Sequence, residues 1–482
     1  KDGNGETLAA YAHTPGGRLK EIRHGNGIRT GYEYDTDGNL VHLHMERTDG
    51  EILADLYYSH DLNGNRILKS GSRIGGEGKA TEHKVFYVYD RMDRLVSESR
   101  QGEETAYVYD LCGNRLKKLD KNGTEEYHYN RKNQLICRFS EKEKTAYRYD
   151  LQGNLLEAAG AEGRTVFSYN AFQQQTAVTM PDGKRLENRY DAEYLRAGMV
   201  ENGNSCNFLY YNGELLAESS PDGNAISRYI PGYGVAAGWN REKRGYHYYH
   251  LDEQNSTAYI TGSSGEIENQ YEYDAFGVLK NSMEEFHNRI LYTGQQYDQT
   301  SGQYYLRARF YNPVIGRFVQ EDVYRGDGLN LYAYCKNNPV VYYDPSGYDS
   351  QYPCKEETSV GESGSDTALT VYDPEFAARQ MLVGGETSED LLRSIVPKGT
   401  PNTFVPTATI KDGYKYNFSI NGKKVEIKCH SQDLNAAIKY PGSNSGAGWT
   451  AQIKVGNKLL TQSGRFVKKP RNYTHIPLKG GD

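Results

Sequence analysis

Short phrases with an aromatic at every second position recur along the first two thirds of the chain: Tyr32-Glu33-Tyr34-Asp35, Tyr87-Val88-Tyr89-Asp90, Tyr107-Val108-Tyr109-Asp110, Tyr127-His128-Tyr129-Asn130 and Tyr147-Arg148-Tyr149-Asp150. Phe167-Ser168-Tyr169-Asn170 and Asn188-Arg189-Tyr190-Asp191 continue the series, and Tyr-Tyr-Asn at 210–212 and Tyr271-Glu272-Tyr273-Asp274 keep it in looser form. The second aromatic falls at 89, 109, 129, 149, 169 and 190, a step of twenty broken by one inserted residue. Alternation with period two marks a strand, so the paired aromatics share one face. Asp110 opens a turn that Gly113-Asn114 completes, because Gly and Asn tolerate φ > 0, and Arg115-Leu116 starts the return. Each unit is therefore predicted as a hairpin of about twenty residues. One hairpin cannot bury its own face, so the units must stack into a continuous sheet. The tyrosine rows read as core and ladder packing rather than as a sugar or nucleotide platform.

Composition agrees with a β-rich chain. The 482 residues include 43 Tyr and 52 Gly, and Gly is costly in helix interiors while Tyr favours strands. No apolar run is long enough to span a membrane. The start, Lys1-Asp2-Gly3-Asn4-Gly5, has neither an initiator Met nor an apolar signal core, and the chain reads as the later part of something longer. The six cysteines are scattered without a Cys-x-x-Cys pair and read as free thiols or small apolar residues.

The style changes at Tyr292. Tyr292-Thr293-Gly294, Tyr304-Tyr305-Leu306-Arg307-Ala308-Arg309-Phe310-Tyr311-Asn312-Pro313 and Gly316-Arg317-Phe318 precede Glu321-Asp322, Asn330-Leu331-Tyr332-Ala333-Tyr334 and Asp344-Pro345-Ser346-Gly347-Tyr348. The tyrosine units resemble the YD repeats of RHS proteins, Tc-toxin C subunits and teneurins over about 1–348, and the segment 292–348 resembles the RHS core-associated plug. That resemblance implies a mainly β fold in which hairpins (1–291) coil into a hollow shell, with part of the shell lying upstream. It also implies an aspartyl-type self-cleavage site in the plug, formed by Asp322 and Asp344 with Arg317 in support and cutting after Tyr348. Two close carboxylates cannot both ionise, which yields an acid and a base able to direct water at a peptide. Val323 and Tyr348 depart from the Pro and Leu usual at those positions.

Residues 349–386 read as a polar linker and pre-toxin segment, with a helical pattern at 374–382. A second helical pattern covers 388–396, and strands are predicted at Thr407–Ile410, Tyr414–Ile420, Lys424–Cys429 and Thr450–Val455, making 387–482 a small α+β domain. Charge separates it from the rest. Residues 401–482 hold thirteen Lys and Arg against four acids, while the remainder is net acidic. A basic domain on an acidic carrier points to a nucleic-acid ligand.

Two histidines lie beyond Tyr348, in Glu426-Ile427-Lys428-Cys429-His430 and Thr474-His475-Ile476-Pro477. Alternation sets Glu426, Lys428 and His430 on one strand face. Imidazole, carboxylate and ammonium together suit metal-free RNA cleavage, with His as base, a second His or Glu as acid, and Lys facing the developing charge. The stretch 397–479 resembles a type-30 polymorphic-toxin domain, with Cys429 where an aromatic is expected. The resulting expectation is a catalytic set of His430, His475, Lys428, Glu426 and Thr474, with substrate contacts from Trp449, Gln452, Lys454 and Arg471 and no cofactor. The implied partners are an RNA (tRNA or rRNA), an acidic immunity protein and a secretion or delivery apparatus, for a secreted or surface protein whose toxin reaches a target cytoplasm. Two rivals stand beside this reading. Asp412 with Glu426 and Lys428 forms the Asp…Glu-x-Lys pattern of a Mg²⁺-dependent DNase, and a YD-repeat adhesion or cell-wall protein would need no enzyme.

Overall fold

The computed structural model describes residues 5–75, 78–141, 143–324, 328–351, 387–388, 392, 396, 400–420, 423–463, 465–469 and 472–479. The chain divides into two compact units, Lys1–Thr358 and Ser359–Asp482. The boundary falls inside the predicted linker, whose residues from 352 to 386 lie outside the described set, as does the helical pattern at 374–382.

In the first unit, 26 strands from β1 (Ala9–His13) to β26 (Leu279–Glu284) form one sheet among the described residues. Each strand pairs antiparallel with its neighbour in the chain, as in β9 (Glu103–Tyr109), β10 (Arg115–Asp120) and β11 (Gly123–Tyr129). The repeat grammar has a concrete cause at every turn. Asp110 Oδ1 accepts the Asn114 amide at 2.8 Å and its Oδ2 accepts the Asn114 side-chain amide at 2.9 Å. Asp35 with Asn39, Asp61 with Asn65 and Asp150 with Asn154 repeat the pattern. Gly113 takes φ +78°, which removes the penalty a side chain would meet there.

The first Tyr of a unit fills the core, with Tyr107 and Tyr127 only 4 % and 2 % exposed. The second reaches back with its hydroxyl: Tyr89 donates to the Arg66 carbonyl at 2.7 Å and Tyr129 to the Arg115 carbonyl at 2.8 Å. Tyr190 does the same to the Gln175 carbonyl, so in these units Tyr rather than Phe gains a hydrogen bond to the preceding strand, whereas the buried hydroxyls of Tyr109 and Tyr169 make none. Late strands return against early ones. Glu253 receives Tyr58, Arg66 and Lys69 at 2.9–3.0 Å, and Tyr259 donates to the Ile74 carbonyl.

Residues 296–318 add a four-stranded sheet: β27 (Gln296–Asp298), β28 (Gln303–Tyr305), β29 (Phe310–Asn312) and β30 (Arg317–Phe318). Its aromatics merge with the shell core, and Tyr304, Tyr311 and Phe318 are buried there. The plug engages successive turns one by one. Asn337 bonds the Gly113 carbonyl, Arg317 that of Asn133, Tyr332 that of Gly153 and Gln320 that of Gln173.

The second unit is a small sheet: β31 (Thr387–Ser388), β32 (Gly413–Ile420), β33 (Lys423–His430), β34 (Thr450–Val455), β35 (Lys458–Leu460), β36 (Phe466–Val467) and β37 (Ile476–Lys479), ordered β31-β37-β34-β33-β32 with β35 on β34. Helices α1 (Leu434–Lys439) and α2 (Asn444–Ala447) connect β33 to β34. Val425, Ile427, Cys429, Ala451, Ile453 and Ile476 make its core. Three of the four predicted strands form. Thr407–Ile410 is a loop instead, because Thr407 Oγ1 accepts the amides of Thr409 and Ile410 and curls the backbone. Ser388 lies in β31, and of the helix predicted at 388–396 only Leu392 is described as helical. The five cysteines among the described residues are unbridged.

Candidate functional site

Two sites emerge, one in each unit. In the plug, Arg309 stands between the predicted aspartates. Its Nη2 lies 2.6 Å from Asp322 Oδ2 and 3.9 Å from Asp344 Oδ2. Its Nη1 donates to the Leu331 carbonyl at 3.0 Å and its Nε to the Gly347 carbonyl. Asp322, Asp344 and Arg309 are all almost fully buried. Asp344 Oδ1 also accepts the amides of Ser346 and Gly347, folding 344–347 into a tight turn.

Tyr348 is 43 % exposed, and its phenol is pushed up by burial and by the nearby Asp322 charge. Beyond it, Tyr343 and Gln351 exchange two backbone hydrogen bonds, so the 348–349 peptide sits in a loop pinned at both ends. Arg317 has a different place from the expected one. It packs over the Tyr129 and Tyr332 rings and bonds Asn133 and Asn330, which makes it a tie between plug and shell. The guanidinium on the aspartates is that of Arg309. The double Arg of Arg307-Ala308-Arg309 was the available signal in the sequence, but nothing local says which Arg turns toward an acid.

In the second unit, strand register sorts the side chains into rows. Gly413, His430 and Thr450 align across β32, β33 and β34, then Lys415, Lys428 and Gln452, then Asn417, Glu426 and Lys454. All of these share the face opposite the apolar core. His430 is 3 % exposed. Its Nδ1 lies 2.8 Å from the Ser431 carbonyl, so Nδ1 carries the proton and Nε2 keeps its lone pair. Thr450 Oγ1 stands 3.5 Å from Nε2, and the His475 ring meets the His430 ring edge-on with centroids 6.2 Å apart. Burial lowers the His430 pKa, the Ser431 bond opposes this, and Lys428 and His475 lower it further, leaving a neutral imidazole at pH 7. Asn444 Nδ2 donates to the His475 carbonyl at 2.7 Å, and buried Thr474 precedes it. Asn444 itself begins α2, which Ser443 caps by accepting the Gly446 amide.

Not every expected residue joins this group. Glu426 is four strand positions from His430, about 13 Å at the usual rise, and pairs with Lys415 at 3.0 Å. Trp449 stacks on Tyr414, which packs against the apolar core, so its ring belongs to the core side of the sheet. Gln452 and Lys454 do lie on the polar face, half-buried. Arg471 lies outside the described residues. Asp412 does not converge with Glu426. Its backbone pairs with Ser431, five positions from Asn417 opposite Glu426, a separation of about 16 Å that no single ion bridges.

Residues 65–340 match the sequence model of the family described as teneurin YD-shell. The chain belongs to the YD-shell family. This YD-shell chain is 31 % identical over 355 residues to the tRNA3(Ser)-specific nuclease WapA of Bacillus spizizenii, a match covering 70 % of the chain and 15 % of that protein. It is 25 % identical over 417 residues to toxin subunit YenC1 of Yersinia entomophaga, covering 70 % of the chain and 42 % of the subunit. The crystal structure of TcdB2-TccC3-Cdc42 is similar at 17 % identity with a TM-score of 0.39, over 70 % of this chain and 21 % of that one. The chain thus spans a minor part of these relatives. The expected YD-repeat family and mainly β fold both hold. Among the described residues no helix is long and apolar enough to cross a membrane.

Proposed function

We propose that the second unit is a metal-free ribonuclease effector of an RHS/YD-repeat toxin, released by self-cleavage of the plug. The observation that carries the effector reading is the anchored, neutral His430 with His475 beside it at the end of a basic sheet face. His430 Nε2 takes the proton of a ribose 2′-hydroxyl, the freed oxygen attacks the adjacent phosphorus, and His475 gives a proton to the departing 5′-oxygen. Lys428, one row away, offsets the charge gathering on the phosphoryl oxygens, while Gln452 and Lys454 contact the backbone of the RNA. WapA relatives described as tRNA nucleases favour a tRNA substrate.

Cleavage of RNA by unit 359–482 in EDTA, with 2′,3′-cyclic phosphate ends, tests this reading. Activity that needs Mg²⁺ and survives loss of both histidines sinks it. Release rests on the Asp322–Arg309–Asp344 cluster beside the loop that carries Tyr348. Family resemblance extends the reading to confinement of the effector by the shell until delivery from a secreted or surface protein, with an acidic immunity protein guarding the producer. Resistance of the 401–482 lysines to trypsin in the native chain, lost on mild denaturation, tests confinement.

A further inference from the structure

The three strands β3 (Arg29–Tyr34), β4 (Leu40–Glu46) and β5 (Ile52–His60) carry a cluster that neither cleavage nor nuclease chemistry uses. Register sets Glu33 opposite His42 and His44 opposite Asp55, and strand alternation puts His42 and His44 on the same face. His42 Nε2 lies 2.7 Å and His44 Nδ1 3.0 Å from the same oxygen, Asp55 Oδ1. One ligand atom from each of the three lies within 4.8 Å of the others, and this is the one such group among the described residues. The side chains of His42, His44 and Asp55 are 18 %, 33 % and 27 % exposed, which leaves water access on the open side.

Two surrounding contacts match what a metal-bound imidazole needs. The far nitrogen of His42, Nδ1, lies 3.6 Å from Glu33 Oε1, so a carboxylate is ready to accept the ring proton when Nε2 is used as a ligand. The opposite ring face stacks on Tyr57 at 4.3 Å and 6°, fixing the imidazole plane. The apolar partners of the same strands, Leu43, Leu53 and Leu56, are buried on the other side and hold the backbone rigid.

We propose that His42, His44 and Asp55 form a binding site for a divalent first-row transition ion of the zinc class, with Glu33 orienting His42. Two imidazoles and one carboxylate select such an ion over Mg²⁺ or Ca²⁺, which take oxygen ligands. Tetrahedral bonds of about 2.0–2.1 Å set ligand atoms about 3.4 Å apart, so the 2.7 and 3.0 Å contacts to Asp55 Oδ1 lengthen by about 0.4–0.7 Å, which small side-chain torsions supply. The ion displaces the two hydrogen bonds now made to Asp55 Oδ1; the His42 ring proton moves from Nε2 to Nδ1 beside Glu33, and that of His44 from Nδ1 to Nε2. Water fills the fourth position. The site staples β4 to β5, and it stands or falls independently of the nuclease reading.

The test uses the full chain, stripped with a chelator, with Co²⁺ as a visible-absorbing probe and Zn²⁺ as competitor. The expected result is a Co²⁺ spectrum displaced by one equivalent of Zn²⁺ but not by Mg²⁺ or Ca²⁺. His44→Ala and Asp55→Asn should each weaken that equivalent by about 100-fold or more, and Glu33→Gln by about tenfold. His430→Ala should leave it intact, which separates this ion from any at the effector histidines. Because Glu33 is 74 % exposed, Glu33→Gln keeps the fold even where a ligand substitution loosens it. Equal binding by wild type, His44→Ala and Asp55→Asn, or no binding by wild type, overturns the proposal and leaves a hydrogen-bonded His-Asp-His cluster.

Discussion

The seat of the plug in the shell should depend on one buried ion pair. Arg196 and Asp298 are both 0 % exposed and meet at 2.7 Å. Arg196 also donates to Gln296 at 2.8 Å and to Asn188 at 3.4 Å, with its guanidinium over the Tyr305 ring. Asp298→Ala removes its one paired carboxylate and leaves the cation on neutral acceptors. Breaking such a pair from one side typically costs 3–5 kcal/mol, and the retained acceptors set the expectation at about 3. Arg289, 3.6 Å from Asp298, keeps Glu201 and Glu218 and so softens the loss only at its own position. A change of about 3 kcal/mol is on the order of 10²-fold in an opening equilibrium. Native-state hydrogen exchange of β27 and β28 reads that factor directly, provided the local opening of the plug is sampled. Asp298→Asn, which keeps an acceptor, should fall between, at about 1–2 kcal/mol. The double change Arg196→Met with Asp298→Leu should recover most of the loss, because no charge is then stranded. Exchange within about threefold of wild type in Asp298→Ala would refute the idea that this pair fastens the plug.

Other outcomes follow from the same structure. Intact-mass measurement should find a fragment of 134 residues beginning at Asp349, and Asp322→Asn should keep the chain whole; equal cleavage in both would remove the aspartates from the reaction. His430→Ala and His475→Ala should each lower RNA cleavage about 10²-fold or more in EDTA, measured on labelled tRNA. The His430 imidazole is held below its usual value of about 6.5, so base function is present at pH 7 and lost only as pH falls through that lowered value. Since Lys428 contributes to the depression, Lys428→Ala should move the acid limb of kcat/KM to higher pH as well as lower the rate. Gly277→Ala would set a Cβ 2.5–2.8 Å from the Tyr292 ring at a φ of +88°, and should cost about 1–3 kcal/mol, visible as a lower melting temperature.

The repeat was legible because its causes are local. Asp110 reaches only four residues ahead to Asn114, Gly113 needs only its own φ, and Tyr107 and Tyr109 share a face by alternation alone. The same holds for Glu426, Lys428 and His430 on one face of β33. What the sequence could not carry was distance between elements. Glu426 shares a face with His430 yet sits four positions along it, and Trp449 turns to the core side because Tyr414 lies beneath it, a contact between residues 35 apart in the chain. The choice of Arg309 over Arg317 for the aspartates was made by the plug folding back on itself through Leu331 and Gly347. Period and turn chemistry are properties of a few adjacent residues and can be read in order. Which side chains meet across strands depends on register and on the return path of the sheet, which are set by the burial of the whole core and only then by any single motif.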